Sequence, residues 1–325
     1  MHQARSQTGK MHDVWAVVLA GGVGSRLATR TRRDDGVVVP KQYCTLWGNR
    51  SLLESTLDRM APLVRADRTV LVVAAQHEEH WRKQRHDLLD EHILRQPADR
   101  GTAMGVLLAL MHIRLTDPDA VVVMVPADHG ILDESLFRWR LRRCLDEARQ
   151  GRVVMLGMEP DSPDDSYGWI VPGAALHHDG TMYRVVRFVE KPTPEVAVRL
   201  RDLGALWSSF VVASRLDALL ALIARAQPLL FALTLAQLHS ARGFEDEHLT
   251  AFYDLLPTVD FSRDILERVP DWLWVAPTEP CGWTDLGTPE RLEHFLEARR
   301  RTTILTLPAG QPQQREAMGA RMSAP

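Results

Sequence analysis

The chain has 325 residues, enough for one large α/β domain or two smaller ones, and its 45% hydrophobic and 25% charged residues are ordinary for a globular protein. Its 39 basic and 42 acidic residues nearly cancel, which gives no ground for a nucleic-acid or anionic-membrane partner, and no apolar run approaches the ~20 residues of a membrane span. The three cysteines, Cys44, Cys144 and Cys281, are far apart and form no C-x-x-C pair, which speaks against a disulfide framework and a cysteine zinc site.

Residues 1–12 are polar, lack the apolar core of a signal peptide, and are expected to be a disordered tail on a cytoplasmic protein. From Val14 to Leu19 the chain is continuously apolar, the pattern of a strand buried on both faces. Ala20-Gly21-Gly22-Val23-Gly24-Ser25-Arg26-Leu27 follows at once. Its glycines let the backbone turn sharply and bring N–H groups up to an anion. A helix opening at Ser25 or Arg26 would add a positive dipole end. Arg26 adds a planar fork of donors. After a polar segment comes Pro40-Lys41-Gln42-Tyr43, so the stretch reads as a phosphate cradle with two cations, Arg26 and Lys41. A dinucleotide fingerprint fails because Leu27 stands where a third Gly or Ala is needed, and Lys41 comes too late for a Walker A loop.

Ser51 to Met60 predicts a helix with Ser51 as N-cap and Glu54 completing a capping box. Thr69 to Ala75 predicts a second buried strand, and His77 to Asp90 a charged helix. His77 and His80 are three apart, not the four of a zincin, and read as a solvated face. Gln96-Pro97-Ala98-Asp99-Arg100-Gly101-Thr102-Ala103 is a turn into a helix whose stripe is Met104, Leu107, Leu108, Met111 and Leu115. Such a turn either presents backbone groups to a nucleobase edge or simply caps the helix. Val121 to Val125 predicts a strand ending in Pro126-Ala127-Asp128-His129. Ligands bind at strand carboxyl ends in open α/β sheets, so Asp128 is a metal ligand or a helix N-cap. A helix burying Phe137, Leu141, Leu145 and Ala148 follows, then a strand over Arg152 to Met158. Gly168, between Tyr167 and Trp169, would let a sugar ring approach the backbone or mark a bulge. Tyr183 to Val189 is strand-like and runs into Glu190-Lys191-Pro192, by itself an ordinary ion pair. Leu216 to Phe252 reads as several helices, Asp260 opens another, and Trp272 to Val275 is a late strand. Asp285, in Gly282-Trp283-Thr284-Asp285-Leu286-Gly287, is unremarkable alone. Residues 301–325 are expected to be a second disordered tail around a domain spanning 13–300, with a less regular second half over roughly 160–290.

G-G-x-G-S-R after a buried strand, with P-K-Q beyond it, resembles the signature of the sugar-1-phosphate nucleotidyltransferases, most closely the mannose-1-phosphate guanylyltransferases. P-x-D-H at Asp128, E-K-P at Glu190 and G-W-x-D-x-G at Asp285 follow in that family's order. The resemblance implies that Ala20, Gly21, Gly22, Gly24, Ser25, Gln96, Arg100, Gly101 and Thr102 hold the nucleotide. Arg26, Lys41 and Asp128 would be catalytic, and Gly168, Glu190, Lys191, Ser208 and Ser209 would hold the sugar. Asp128 and Asp285 would bind Mg²⁺. Three positions depart from the pattern: Gly101 and Ser208 each replace an Asn, and Phe210 replaces the Gly of W-N-S-G.

The expected fold is therefore α/β, a twisted, mostly parallel sheet with helices on both faces. The expected reaction joins a nucleoside triphosphate to a sugar 1-phosphate with loss of pyrophosphate, and a homodimer is left open. Rivals are another base or sugar in the same chemistry, and a non-catalytic nucleotide-sugar-binding homologue. The segment 29–39, with Arg30, Arg32 and Arg33, is either a lid over the triphosphate or a solvated basic loop.

Overall fold

The computed structural model describes residues 13–22, 25–33, 35–84, 87–239 and 246–306. The expectations for residues 1–12, Gly24 and 307–325 lie outside them. Strand β1 (Val14–Ala20) is buried at every position but Leu19. It pairs in parallel with β2 (Thr69–Ala74), which pairs in parallel with β3 (Ile93–Gln96). On its other side β1 pairs in parallel with β4 (Val121–Pro126). The chain then forms β5 (Val153–Met158), β6 (Gly168–Ala175), β7 (Tyr183–Glu190), β8 (Leu206–Arg215) and β9 (Leu273–Thr278). All join one nine-stranded sheet of order β3-β2-β1-β4-β8-β5-β9-β7-β6. The class is α/β, but the sheet is mixed. Its first half is parallel; β8 runs antiparallel to both β4 and β5, and β6 and β7 are antiparallel as well.

Helices cover both faces, because alternate residues of β1 point to opposite sides. Val14, Ala16 and Val18 join a core with α1 (Leu52–Met60) and residues Phe137, Leu141 and Leu145. Trp15 and Val17 join the other, with Met104, Leu107 and Met111, and with Leu219, Leu222 and Ile223. The helices after α1 are α2 (Glu78–Trp81), α3 (Thr102–Thr116), α4 (Glu134–Ala148), α5 (Pro194–Asp202), α6 (Leu216–Ala226), α7 (Pro228–Leu238), α8 (Asp246–Asp254), α9 (Phe261–Asp264) and α10 (Pro289–Thr306). Among the described residues no helix is long and apolar enough to cross a membrane.

Local chemistry explains where the elements depart from expectation. The charged helix expected over His77 to Asp90 shrinks to the single turn α2, whose one buried side chain is Trp81. No apolar stripe continues beyond it to dock a longer helix. The helix expected to open at Ser25 is one 3₁₀ turn, Ser25–Leu27. α3 buries Val106, Leu110 and Ile113 besides its stripe, since α7 and α9 cover its outer face, whereas Leu115 is 67% exposed. α10 continues through Thr306, past the boundary expected at 300. The described residues of 29–39 form a small hairpin: Arg33 N donates to Val37 O at 2.8 Å and Val39 N to Thr31 O at 3.0 Å. Thr31 is buried, and an Arg30–Glu293 ion pair ties the hairpin to α10.

α1 is capped as its sequence predicts. Ser51 Oγ accepts from Glu54 N at 3.1 Å, and the Glu54 carboxylate accepts from Ser51 N at 2.8 Å. Ser51→Ala should lower unfolding free energy by about 1 kcal/mol. Urea denaturation should show a shifted midpoint at constant slope; an unchanged midpoint would remove the cap from α1's stability.

Candidate active site at the strand carboxyl ends

The carboxyl ends of β3, β2, β1 and β4 open on a cavity of about 430 Å³. Gln96, from the end of β3, is clamped there between two glycines. A Cβ at Gly21 would come within 2.6 Å of Gln96 Nε2, and one at Gly105 within 2.9 Å of Oε1. The glycine loop is shaped from the Pro40–Tyr43 segment. Gln42 Nε2 donates to Ala20 O at 2.8 Å and Gly22 O at 2.7 Å, and Tyr43 donates to Ala20 O at 3.1 Å. The Ala20 and Gly22 carbonyls are thus satisfied internally.

Gly101 and Thr102 line the cavity, and Thr102 Oγ1 accepts from Phe261 N at 2.8 Å, docking α9. Gly101 has φ +78°, and a Cβ there would lie 2.3 Å from Val259 O. That carbonyl also accepts from Ala103 N at 3.1 Å. The segment around Val259 therefore occupies the room a side chain would need, which accounts for the Gly where the resembled family has Asn. Arg100 does not line the cavity. Its Nε donates to Tyr253 O at 2.6 Å and its Nη2 sits 3.6 Å from Asp254, so it braces the end of α8 instead of facing the cavity.

At the end of β4 lies the charge centre. Lys41, 5% exposed, places Nζ 2.9 Å from Asp128 Oδ2 and donates to Asp285 O at 2.5 Å. The end of β4 and the loop after β9 are thereby joined, and paired hydrogen bonds between Gly130 and Thr284 join them again. Asp285 Oδ1 accepts from Tyr167 at 3.0 Å, Gly287 N at 2.9 Å and Arg291 Nη1 at 2.8 Å. Arg291 also pairs with Asp164 and lies over the Tyr167 ring at 4.1 Å. Arg26 is exposed and 3.8 Å from Asp285 Oδ2. His129 Nδ1 accepts from Trp283 Nε1 at 3.2 Å, and its Nε2 lies 3.8 Å from Asp128 Oδ1.

Burial opposes charge on both aspartates, but Lys41 together with His129 and a backbone hydrogen bond outweighs it at Asp128, and Arg291 with its neighbours outweighs it at Asp285. Both carboxyls are held below the usual range. Burial pushes His129 down to about 4, so it is neutral near pH 7. Among the described residues no group of three His, Cys, Asp or Glu could hold a metal by itself. Asp128 and Asp285 nevertheless fit a hard cation completed by phosphate and water oxygens. Each is ionised and uses one oxygen in short contacts, while the other oxygen meets only a side-chain nitrogen at 3.8 Å.

Beside the cavity, Gly168 brings two strands together. A Cβ there would lie 2.7 Å from Glu190 Oε2 and 3.3 Å from Ser208 Cβ. It is not the bulge; the irregularities of β6 lie between Val171 and Ala175. Burial raises the Glu190 carboxyl, opposed by Lys191, whose Nζ is 3.4 Å away on an exposed residue at φ +47°. Ser209 lies inside the sheet. It is fully buried and its Oγ donates to Leu156 O at 2.6 Å, so the hydroxyl is spent within the sheet. Sequence reasoning missed Tyr167 and Arg291. Tyr167 adjoined a residue already singled out, but nothing in the sequence distinguishes Arg291 from the other arginines.

Open α/β sheets receive their ligands at the carboxyl ends of their strands, and there the glycine loop, buried Lys41 and Asp128 stand with Asp285 beside them. A family model described as Nucleotidyl transferase matches residues 15–302, and the chain belongs to that family. It is 32% identical over 289 residues to a mannose-1-phosphate guanylyltransferase of Escherichia coli K12, covering 85% of this chain and 58% of that protein. A mannose-1-phosphate guanylyltransferase of Salmonella typhimurium is 31% identical over 290 residues, with the same coverage. Among solved structures, a mannose-1-phosphate geranyltransferase from Thermus thermophilus aligns with TM-score 0.74 and 30% identity, over 87% of this chain and 79% of that one. The chain thus spans little more than half the length of these curated relatives.

Gly101→Asn should cost about 2 kcal/mol or more, the scale of a backbone clash in an ordered segment. Gly22→Ala, where a Cβ meets nothing within 4 Å, is the control and should be nearly neutral. Urea denaturation of both decides; equal stability would mean that the Val259 segment yields freely.

Proposed function

We propose that this chain transfers a nucleotidyl group from a nucleoside triphosphate to a sugar 1-phosphate, releasing pyrophosphate. GTP and mannose 1-phosphate, or a closely related sugar phosphate, are the pair that the named relatives support. The observation that carries the reading is Lys41, a buried ammonium fixed between Asp128 and the Asp285 backbone beside the glycine loop. In the reaction a phosphate oxygen of the sugar 1-phosphate attacks the α-phosphorus, and the bond to the β-phosphate oxygen breaks. The nucleophile is already an anion, so no general base is needed, and neutral His129 is suited to positioning Asp128. What the site must supply is placement of two polyanions and stabilisation of charge.

The glycine loop with Arg26 would hold the triphosphate, and Gln96, Gly101 and Thr102 the nucleoside. Lys41 would meet the charge developing at the α-phosphate and departing pyrophosphate. Gly168, Glu190, Lys191 and Ser208 would take the sugar phosphate. Asp128 and Asp285 would hold Mg²⁺, which supplies Lewis-acid neutralisation and orientation of phosphate oxygens. Both substrates are phosphorylated metabolites, which fits a cytoplasmic enzyme.

Pyrophosphate release measured with four nucleoside triphosphates against a panel of sugar 1-phosphates tests the reading. GTP with mannose 1-phosphate or a near analogue should be turned over in a Mg²⁺-dependent way, and no release from any pair would overturn it. Lys41→Met should lower turnover by ~10²-fold or more, the scale of losing a preorganised charge donor. It should also destabilise the fold, because half-buried Asp128 is left without its cation. Near wild-type turnover in a folded Lys41→Met protein would remove Lys41 from the mechanism.

A further inference from the structure

β8 carries an irregularity where it crosses β5. Met155 pairs with Val212 and Gly157 with Ser208, so Leu156 alone faces Ser209, Phe210 and Val211. Bulges re-aim side chains and collect near functional sites. Within this one Phe210 has φ +60°, a left-handed conformation that a bulky side chain seldom adopts. Such strain persists only where the surroundings hold it. Here Ser209 Oγ bridges Leu156 O at 2.6 Å and Val211 N at 3.2 Å, and the Phe210 ring packs 5.8 Å from that of Phe261. Phe210 thereby lines the cavity at the strand ends, in company with Pro126, Asp128 and His129.

Sheet order locates this ring relative to the reactants. Along the edge the strands run β3, β2, β1, β4, β8. Gln96 stands on the first, the glycine loop and Asp128 on the third and fourth, and Phe210 on the fifth. Four strand spacings amount to roughly 19 Å, room for a nucleoside, its phosphates and an acceptor laid end to end. With the nucleoside at Gln96 and the phosphates at the loop, the acceptor sugar falls against Phe210.

We propose that Phe210 is a specificity-determining residue for the acceptor, selecting a deoxy-sugar 1-phosphate over its fully hydroxylated counterpart. The proposal rests on the nucleotidyl-transfer reading. A phenyl ring offers no hydrogen-bond partner, so a hydroxyl aimed at it gives up water without replacement. A C–H group at the same place meets the electron-rich ring face and buries apolar surface.

The test compares kcat/KM, by pyrophosphate release with saturating GTP, for mannose 1-phosphate and its singly deoxygenated 2-, 3-, 4- and 6-analogues. The wild type should prefer one analogue by about tenfold or more. Phe210→Gly, which suits the left-handed backbone, should erase that preference. Phe210→Leu, apolar but without a ring, should leave an intermediate ratio. Turnover with the same ratio in wild type and Phe210→Gly overturns the proposal alone. Absence of turnover by the wild type with every triphosphate and sugar 1-phosphate overturns the nucleotidyl-transfer reading and this proposal with it.

Discussion

The contact on which the rest of the site depends is the buried ammonium of Lys41 between Asp128 and the backbone of Asp285. A carboxylate drawn into a partly buried corner loses solvation and tends to protonate. Lys41 and Arg291 prevent this, and both aspartates stay ionised. The same contact closes the fold: it fastens the segment after the glycine loop to the end of β4 and to the loop after β9, three parts of the chain far apart in sequence. Deleting such a charge singly is costly, because its half-buried partner is left uncompensated. Stability and the proposed chemistry therefore draw on the same groups.

The loop itself works differently from a helix-terminus anion site. A single 3₁₀ turn follows it, and a turn that short sums few peptide dipoles. Its shape comes from Gln42 and Tyr43, which satisfy the Ala20 and Gly22 carbonyls. Positive charge comes from side chains on either hand, exposed Arg26 and buried Lys41. Gln96 can reach the cavity only because Gly21 and Gly105 leave the space it fills.

The mixed sheet builds the two halves of the cleft differently. Parallel strands with helical crossovers leave their carboxyl ends together, and the crevice above them is where such sheets receive ligands. Inserting β8 antiparallel between β4 and β5 brings the beginning of that strand to the same edge. Ser208 reaches Gly168 and Glu190 by this route, and Phe210 reaches the cavity. The second half of the chain thus lies beside the phosphate corner without contributing a second parallel unit.

Much of this was legible in the sequence. Runs such as Val14 to Leu19 and Val121 to Val125 are apolar because both faces are buried, and that signal is local. The glycine loop, Lys41 and Asp128 stood in a pattern whose spacing the fold enforces, so they could be read together. What the sequence left undecided depended on distant contacts. The direction of β8 follows from which strands it pairs with, and no periodicity of Leu206 to Arg215 records its partners. Ser208 and Ser209 are equivalent as letters, yet a bulge turns one toward Gly168 and Glu190 and seals the other against Leu156. Arg100 matched a motif, but its guanidinium went to the nearest acceptors, Tyr253 O and Asp254. Sequence alone determined which strands are buried and which chemistry is present. Tertiary structure decided which polar groups face the cavity, because each side chain's direction is set by the strand pairing and hydrogen-bond partners that folding brings to it.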